Sequence, residues 1–343
     1  MRRLIDKLLI LLILINFIYV FSGVIHYPLR HIDVYSIWLL KAKAFFIYGG
    51  FPLEFLKTVG YSHPQYPVLL PFIFSLIYRF AGGVNEYYVL AAYPFVYLII
   101  LYLAFKFFIQ LNLSKTQSLF FVYLYSMLSP LLAQGGREHA GMADIILTLI
   151  YWLVLILTYK IIREKKKKLL WLIIALIAIA SQIKFEGVFL TWIIFLLPIK
   201  MKKKILWGFI AATPTIVWMI MRNHLGIPQD YRLGFMGLTQ IIPEVLIVLR
   251  VIVVEMLNIR NWYVFWIAFW SLMIIQRSKD RLVRKIIEPT LLLISLSFIV
   301  MYVLIQLDTA AQVSSSVDRI MLQLSPFFYS MFVHRVKLLL RNV

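Results

Sequence analysis

Long apolar runs separated by short clusters of lysine and arginine make up most of this chain. "LLILLILINFIYVFSGV" (8–24), "YYVLAAYPFVYLIILYLAF" (87–105) and "DIILTLIYWLVLILTYKII" (144–162) are each apolar over 17 residues or more. At about 1.5 Å per helical residue, such runs cover most or all of the roughly 30 Å of hydrocarbon in a bilayer. The pattern predicts spanning helices over about 8–25, 88–108, 117–133 and 142–162. Basic clusters at 1–7, 163–168 ("REKKKK"), 200–204 ("KMKKK") and 277–285 ("RSKDRLVRK") punctuate the runs, joined by Lys106, Lys115 and the terminal "HRVKLLLRN". Basic loops remain on the cytoplasmic side, so these clusters set the parity of every segment between them.

Parity leaves two apolar stretches that do not cross. "PVLLPFIFSLIYRFAG" (67–82) is short and holds two prolines and an arginine. It is expected to lie along the outer surface, making 26–87 one external loop with juxtamembrane helices at about 34–48 and 67–80. The amphipathic stretch at about 240–258, with Glu244, Arg250 and Glu255, is assigned outside for the same reason. Residues 169–198 lie between two basic clusters and must go out and return. Each leg then has about 12–14 residues, roughly 18–21 Å, so "KFEG" (184–187) turns inside the membrane, beside protein or a watery cavity. The whole chain, 1–343, is thus read as a single all-α polytopic domain of about ten transmembrane helices in the plasma membrane, two of them short, with both termini cytoplasmic.

Composition supports a lipid environment. The chain is 62% hydrophobic and 15% charged, against about a quarter charged in soluble domains, and its mean hydropathy is +0.88. The net charge of +20 would suggest nucleic acid on a soluble protein. Here the excess sits in loops between apolar runs, so membrane lipids and no nucleic acid are expected as partners. Without cysteine, the redox compartment cannot be read. The N-terminus has the charge-then-apolar order of a signal peptide but no A-x-A site, and is read as a retained first helix.

The external polar residues are few. Asp33 follows the first helix, either capping the next one or serving as a base. Trp38, Lys41, Ala42 and Phe45 share a helical face that suits an interfacial anchor. His63 lies in the stiff turn "SHPQYPVLLP", as a loop contact or a ligand. "QGGREHAGMADIIL" (134–147) brings Arg137, Glu138, His139 and Asp144 near two glycines that would admit a ligand close to the backbone. Lys184 and Glu186 either satisfy one another or form the floor of an outward cavity. Arg319 either pairs locally with Asp318 or clamps an anion. A base flanked by cations suits transfer of a group carried on phosphate. There is no P-loop, nucleotide fingerprint or structural zinc spacing.

At these residues the sequence resembles the GT-C glycosyltransferases, polytopic enzymes that use polyprenyl-phosphate-linked sugars and include protein O-mannosyltransferases and aminoarabinose transferases. The motifs are "HIDVYSIW", "SHPQYPVLLP", "GMADIIL", "IKFEG" and "SVDRIMLQLSP", from about residue 31 to 326. The resemblance implies that Asp33 is the general base and that the anomeric carbon is inverted. Asp144 would position acceptor or donor, or help Asp33 hold a divalent ion. Lys184 and Arg319 would neutralise the departing lipid phosphate, with Arg137, Lys41, His63, Glu186, Glu138 and His139 as further donor-binding candidates. The acceptor would be a hydroxyl of an unknown glycan, lipid or protein. Two departures are visible: a single acid stands where several relatives carry an Asp-Glu pair, and Gln65 replaces the first proline of an H-P-P turn. The competing readings are a transporter or flippase of lipid-linked sugars without chemistry, and a structural membrane subunit.

Overall fold

The computed structural model describes residues 2–26, 31–137, 139–229, 238–276, 278, 280–304 and 308–341. Among them every regular element is helical. Among the described residues five helices are long and apolar enough to cross a membrane: Arg2–His26, Glu86–Gln110, Ala143–Arg163, Met201–His224 and Val283–Leu304. Shorter apolar helices cover Leu69–Phe80, Phe185–Leu196 and Phe265–Ile275. The chain is therefore a multi-pass helical membrane protein.

The core gathers around helix 143–163. Its buried residues include Ile145, Tyr151, Trp152 and Val154, packed among helices 92–110, 170–183 and 317–341. In lipid no water competes for these surfaces, so close packing and internal hydrogen bonds supply cohesion. Tyr125 illustrates both: it packs on Trp152 and Tyr329, accepts from Trp152 Nε1 at 3.2 Å and shares a hydrogen bond with Ser325 at 2.5 Å.

The single span expected over 117–133 is instead two helices, Lys115–Ser126 and Ser129–Gly136, bent by 72°. Pro130 opens the second helix, where its missing N–H is no loss. Two carbonyls at the break are caught from elsewhere: Tyr97 Oη donates to Ser126 O at 2.9 Å and Tyr263 Oη to Met127 O at 3.3 Å. A break at membrane depth needs such substitutes.

Gly135 and Gly136 fall within the second of these helices rather than in a ligand loop. A Cβ on Gly136 would strike the backbone of Val20, and one on Gly135 would crowd Val20 and Tyr97 at 3.1 Å. These glycines bring helix 129–136 against helix 2–26, which corrects the expectation that they admit a ligand.

Helices occur at Val34–Ile47, the first turns in π geometry, and at Leu69–Phe80. They pack on one another, with Phe45 against Phe72 and Phe46 against Tyr78. The face of Trp38, Lys41, Ala42 and Phe45 is real, but none of the four is more than 4% exposed. It is turned into the protein, so the interfacial-anchor reading fails. Helix Leu238–Met256 covers the expected amphipathic segment and packs on helices 288–304 and 309–314. Its Glu255 accepts from Asn258, Asn261 and Trp262 at 3.1, 2.7 and 2.8 Å.

Helix Leu170–Ile183 ends at Lys184, whose backbone is extended (φ −155°, ψ 143°), and the chain resumes as Phe185–Leu190 and Thr191–Leu196. The break thus falls where the length arithmetic puts it. Gly187 N donates to Lys184 O at 2.9 Å, and a Cβ on Gly187 would strike the backbone of Ala180 and Ser181. Close approach, rather than a left-handed backbone, is what requires glycine. Gly187→Ala should destabilise the folded protein by about 1–3 kcal/mol through overpacking. Thermal unfolding in detergent measures this, and an unchanged midpoint would contradict the assigned contact.

Candidate functional site

The break at Lys184 opens onto a cavity of about 420 Å³. Its lining includes Asp33 and Trp38; His63, Gln65 and Tyr66; Met142 and Asp144; Lys184, Glu186 and Phe189; Thr215, Met219 and Arg222; Tyr302; and Gln312, Ser315, Ser316 and Arg319. Three carboxylates (Asp33, Asp144, Glu186) and three cations (Lys184, Arg222, Arg319) line it.

Lys184 Nζ lies 2.9 Å from Asp144 Oδ1 and 3.0 Å from Glu186 Oε1, and all three side chains are at most 8% exposed. Gln323 Nε2 also donates to Asp144 Oδ1. Asp144 stands in the first turn of helix 143–163, where the helix dipole favours an anion. Lys184 is therefore met by two acids rather than one, and this trio carries a net charge of −1. The positive floor expected from the sequence is a compensated one.

Arg319 Nη1 donates to Asp33 Oδ2 at 2.6 Å, and Nη2 donates to Ser315 O at 3.0 Å. The local Asp318–Arg319 pair is replaced by one that joins positions 286 residues apart. Asp33 makes no side-chain capping bond, so its carboxylate is committed to Arg319 instead of the helix start. Its backbone N–H donates to His31 Nδ1 at 3.2 Å, and the His31 ring meets His139 edge-on at 4.4 Å.

An aromatic wall also lines the cavity. Tyr66 stacks on Trp38 at 5.9 Å and on His63 at 5.2 Å. His63 is held in the left-handed region (φ 44°), a costly backbone for a residue other than glycine. Lys41 sits behind this wall, with Nζ donating to His63 O at 2.6 Å and lying 5.7 Å from the Tyr66 ring.

Of the residues singled out in the sequence, Asp33, Asp144, Lys184, Glu186, His63 and Arg319 share the cavity. Lys41, Arg137 and His139 do not line it. Lys41 braces the His63 turn, Arg137 stacks over Tyr19 at 5.3 Å, and His139 backs His31. Glu138 lies outside the described residues. Sequence reasoning missed Arg222, Tyr302 and the Gln65 side chain in the lining, and Gln323 behind it on Asp144, since nothing in a linear motif marks a polar residue's distant surroundings.

Several buried polar atoms of the lining have no hydrogen-bond partner: both side-chain atoms of Gln65, Thr215 Oγ1, Arg222 Nε, Gln312 Oε1, Arg319 Nε and Glu186 Oε2. Native proteins leave few such groups, because each costs about 1–3 kcal/mol. The lining is thus polar as well as charged. A divalent ion fits it poorly. Asp33 and Asp144 are each engaged by a cation, and among the described residues no three His, Cys, Asp or Glu side chains converge.

No family model matches the chain, and no curated protein or solved structure matches it either. The functional reading rests on the cavity itself.

Two predictions follow from these charges. Lys184→Gln leaves two buried carboxylates without a counterion and should cost about 3–5 kcal/mol, part of which Glu186→Gln restores in the double variant. Additive losses in thermal unfolding would show that the pair is not coupled. The second concerns pH. Burial, with help from His31 and Arg319 and against Asp144 and Asp33, lowers His139 to about 4. Burial also lowers His31, opposed by Asp33 and Asp144. The folded state then resists protonation of both rings while the unfolded chain takes up protons below about 6.5. Stability present above pH 6.5 should be lost as pH falls toward 4, and His139→Gln should flatten that slope in melts at pH 7.5 and 5.

Proposed function

We propose that this protein is a membrane glycosyltransferase of GT-C-like architecture, moving a sugar from a polyprenyl phosphate to an acceptor hydroxyl with inversion. The observation that carries the reading is one cavity in which the Asp33–Arg319 pair and the Asp144–Lys184–Glu186 cluster stand among orphaned polar atoms and a stacked aromatic wall. The aromatic faces suit the C–H surface of a sugar ring, and the amide and hydroxyl orphans suit its hydroxyls.

In this mechanism Asp33 takes the proton of the acceptor hydroxyl. Among the described residues no hydrogen bond engages its Oδ1. The acceptor oxygen bonds to the anomeric carbon from the face opposite the carrier. The bond from that carbon to the phosphate oxygen breaks, and its electron pair leaves with the lipid phosphate. Arg319 has an Nε without a partner and can meet developing charge while Nη1 keeps Asp33 in place. Asp144 and Lys184, locked together, hold the break in the 170–196 hairpin that forms one wall.

We assign the cavity to the extracytoplasmic face and about ten crossings to the chain. In support, four helices bring cavity residues to one end and basic residues to the other. Helix 143–163 runs from Asp144 to Arg163, helix 201–224 from the 202–204 lysines to Arg222, helix 288–304 from beside Lys285 to Tyr302, and helix 317–341 from Arg319 to Lys337. The positive-inside rule then puts the basic ends in the cytoplasm.

Asp33→Asn should lower transfer from a radiolabelled polyprenyl-phosphate sugar by about 10²–10⁴-fold while donor binding persists. Transport of lipid-linked sugar in vesicles that survives Asp33→Asn, with no transfer by the unaltered protein, would favour a flippase and defeat the enzyme reading.

A further inference from the structure

Among the described residues three cations line the cavity, and only two of them are paired with an acid. Asp144 and Glu186 are both committed to Lys184, and Asp33 to Arg319. Arg222 is left over. It is 4% exposed and lines the cavity, yet no ion pair involves it among the described residues. Nη2 donates to Asn223 Oδ1 at 2.9 Å and to Gln229 Oε1 at 3.1 Å, both neutral acceptors, and Nε has no partner. Its place in the last turn of helix 201–224 explains a cation by the helix dipole but does not explain burying one. A buried guanidinium without a counterion is costly, and a planar fork of donors suits phosphate oxygens.

The surroundings point the same way. Thr215, Met219 and Arg222 are spaced four and three residues apart, so one face of the helix presents all three to the cavity. Trp218, on the neighbouring position, donates from Nε1 to Gln65 O at 2.8 Å and packs with Leu56 and Ile227. That bond ties the "HPQYP" turn to helix 201–224, and Gln65 lines the same cavity as Thr215 and Arg222. Thr215 Oγ1 and both Gln65 side-chain atoms are buried without partners. Cation, hydroxyl and amide thus belong to residues that line the one cavity.

We infer that Arg222, with Gln65 and Thr215 beside it, is the anion-binding end of the cavity and takes the phosphate of the ligand, in place of Lys184. The inference deepens the glycosyltransferase reading by naming where the carrier phosphate docks, and rests on it only for the lipid nature of that carrier. The shared chemistry is a phosphate monoester or diester, from a lipid headgroup or from free phosphate.

The test is equilibrium binding of radiolabelled farnesyl phosphate to the full chain in nanodiscs, with farnesol and inorganic phosphate as competitors. Arg222→Gln should weaken farnesyl phosphate binding about tenfold or more, Arg222→Lys should weaken it less, and Arg137→Gln, outside the cavity, should leave it unchanged. Farnesol binding should not respond to Arg222→Gln. Wild-type affinity in Arg222→Gln, or parallel loss of farnesol and farnesyl phosphate, would overturn the assignment. If Arg222→Gln does not fold, Arg222→Lys and Thr215→Val carry the comparison, and unchanged affinity in both overturns it equally. Competition by inorganic phosphate as strong as by unlabelled farnesyl phosphate would keep the anion site and refute the lipid source. Because binding needs no turnover, a protein that binds through Arg222 but never transfers sugar would defeat the enzyme reading alone. Transfer unaffected by Arg222→Gln would defeat this inference alone.

Discussion

A lysine buried between two carboxylates is the constraint around which this fold is arranged. Lys184 interrupts a hairpin too short to cross the bilayer on either leg, and its ammonium has to be neutralised where water is scarce. Asp144 meets it from the start of helix 143–163, and Gln323 from helix 317–341 secures that carboxylate in turn. Three elements far apart in sequence are thereby tied at one point. The Asp33–Arg319 pair adds a fourth, bringing the segment after the first helix to the last one. Removing Lys184, Asp33 or Arg319 would strand a partner charge, whereas Lys184 keeps one carboxylate if either Asp144 or Glu186 is lost.

That same pairing decides what the cavity can do. Ions that satisfy one another contribute structure and little affinity, since a ligand phosphate must outcompete carboxylates already in place. Affinity has to come from groups left unmatched. The orphaned amide of Gln65, the hydroxyl of Thr215 and the Nε atoms of Arg222 and Arg319 are such groups. The division of labour is physical: matched charges hold the walls, and the unmatched polar atoms lie buried within them.

Much of this was legible in the sequence, and the reasons are specific. The break at residue 184 followed from counting residues between two lysine clusters, a length argument that needs no tertiary knowledge. The cavity carboxylates Asp33 and Asp144 stood out because charges are rare in so apolar a chain. Their partners were not legible, since a pairing across 286 residues leaves no local trace. Arg222 escaped notice because a basic residue in the last turn of a helix is ordinary until its burial is seen. Gly135 and Gly136 were misread because glycine near polar residues suits a ligand loop as well as a helix crossing, and only the nearby Val20 backbone decides between them. Lys41 reads as a surface anchor from its spacing, while its partner, the His63 carbonyl, lies 22 positions on.

The placement of Arg222 also bears on how a lipid-linked ligand could lie in the cavity. Helix 201–224 carries exposed apolar residues along much of its length, including Phe209, Val217 and Ile220, and these are the surfaces that a membrane protein turns to acyl chains. An anion held at Arg222 sits at the end of that helix, on the same element whose outer face meets lipid. A carrier could then keep its chain among the bilayer tails and extend only its headgroup past Met219 toward the stacked rings of Trp38 and Tyr66. Lys184 would serve such a ligand poorly, because it is closed off on two sides by Asp144 and Glu186. On the proposed reading, the residue with the least local explanation in the fold would meet the charged head of a molecule whose tail stays in the membrane.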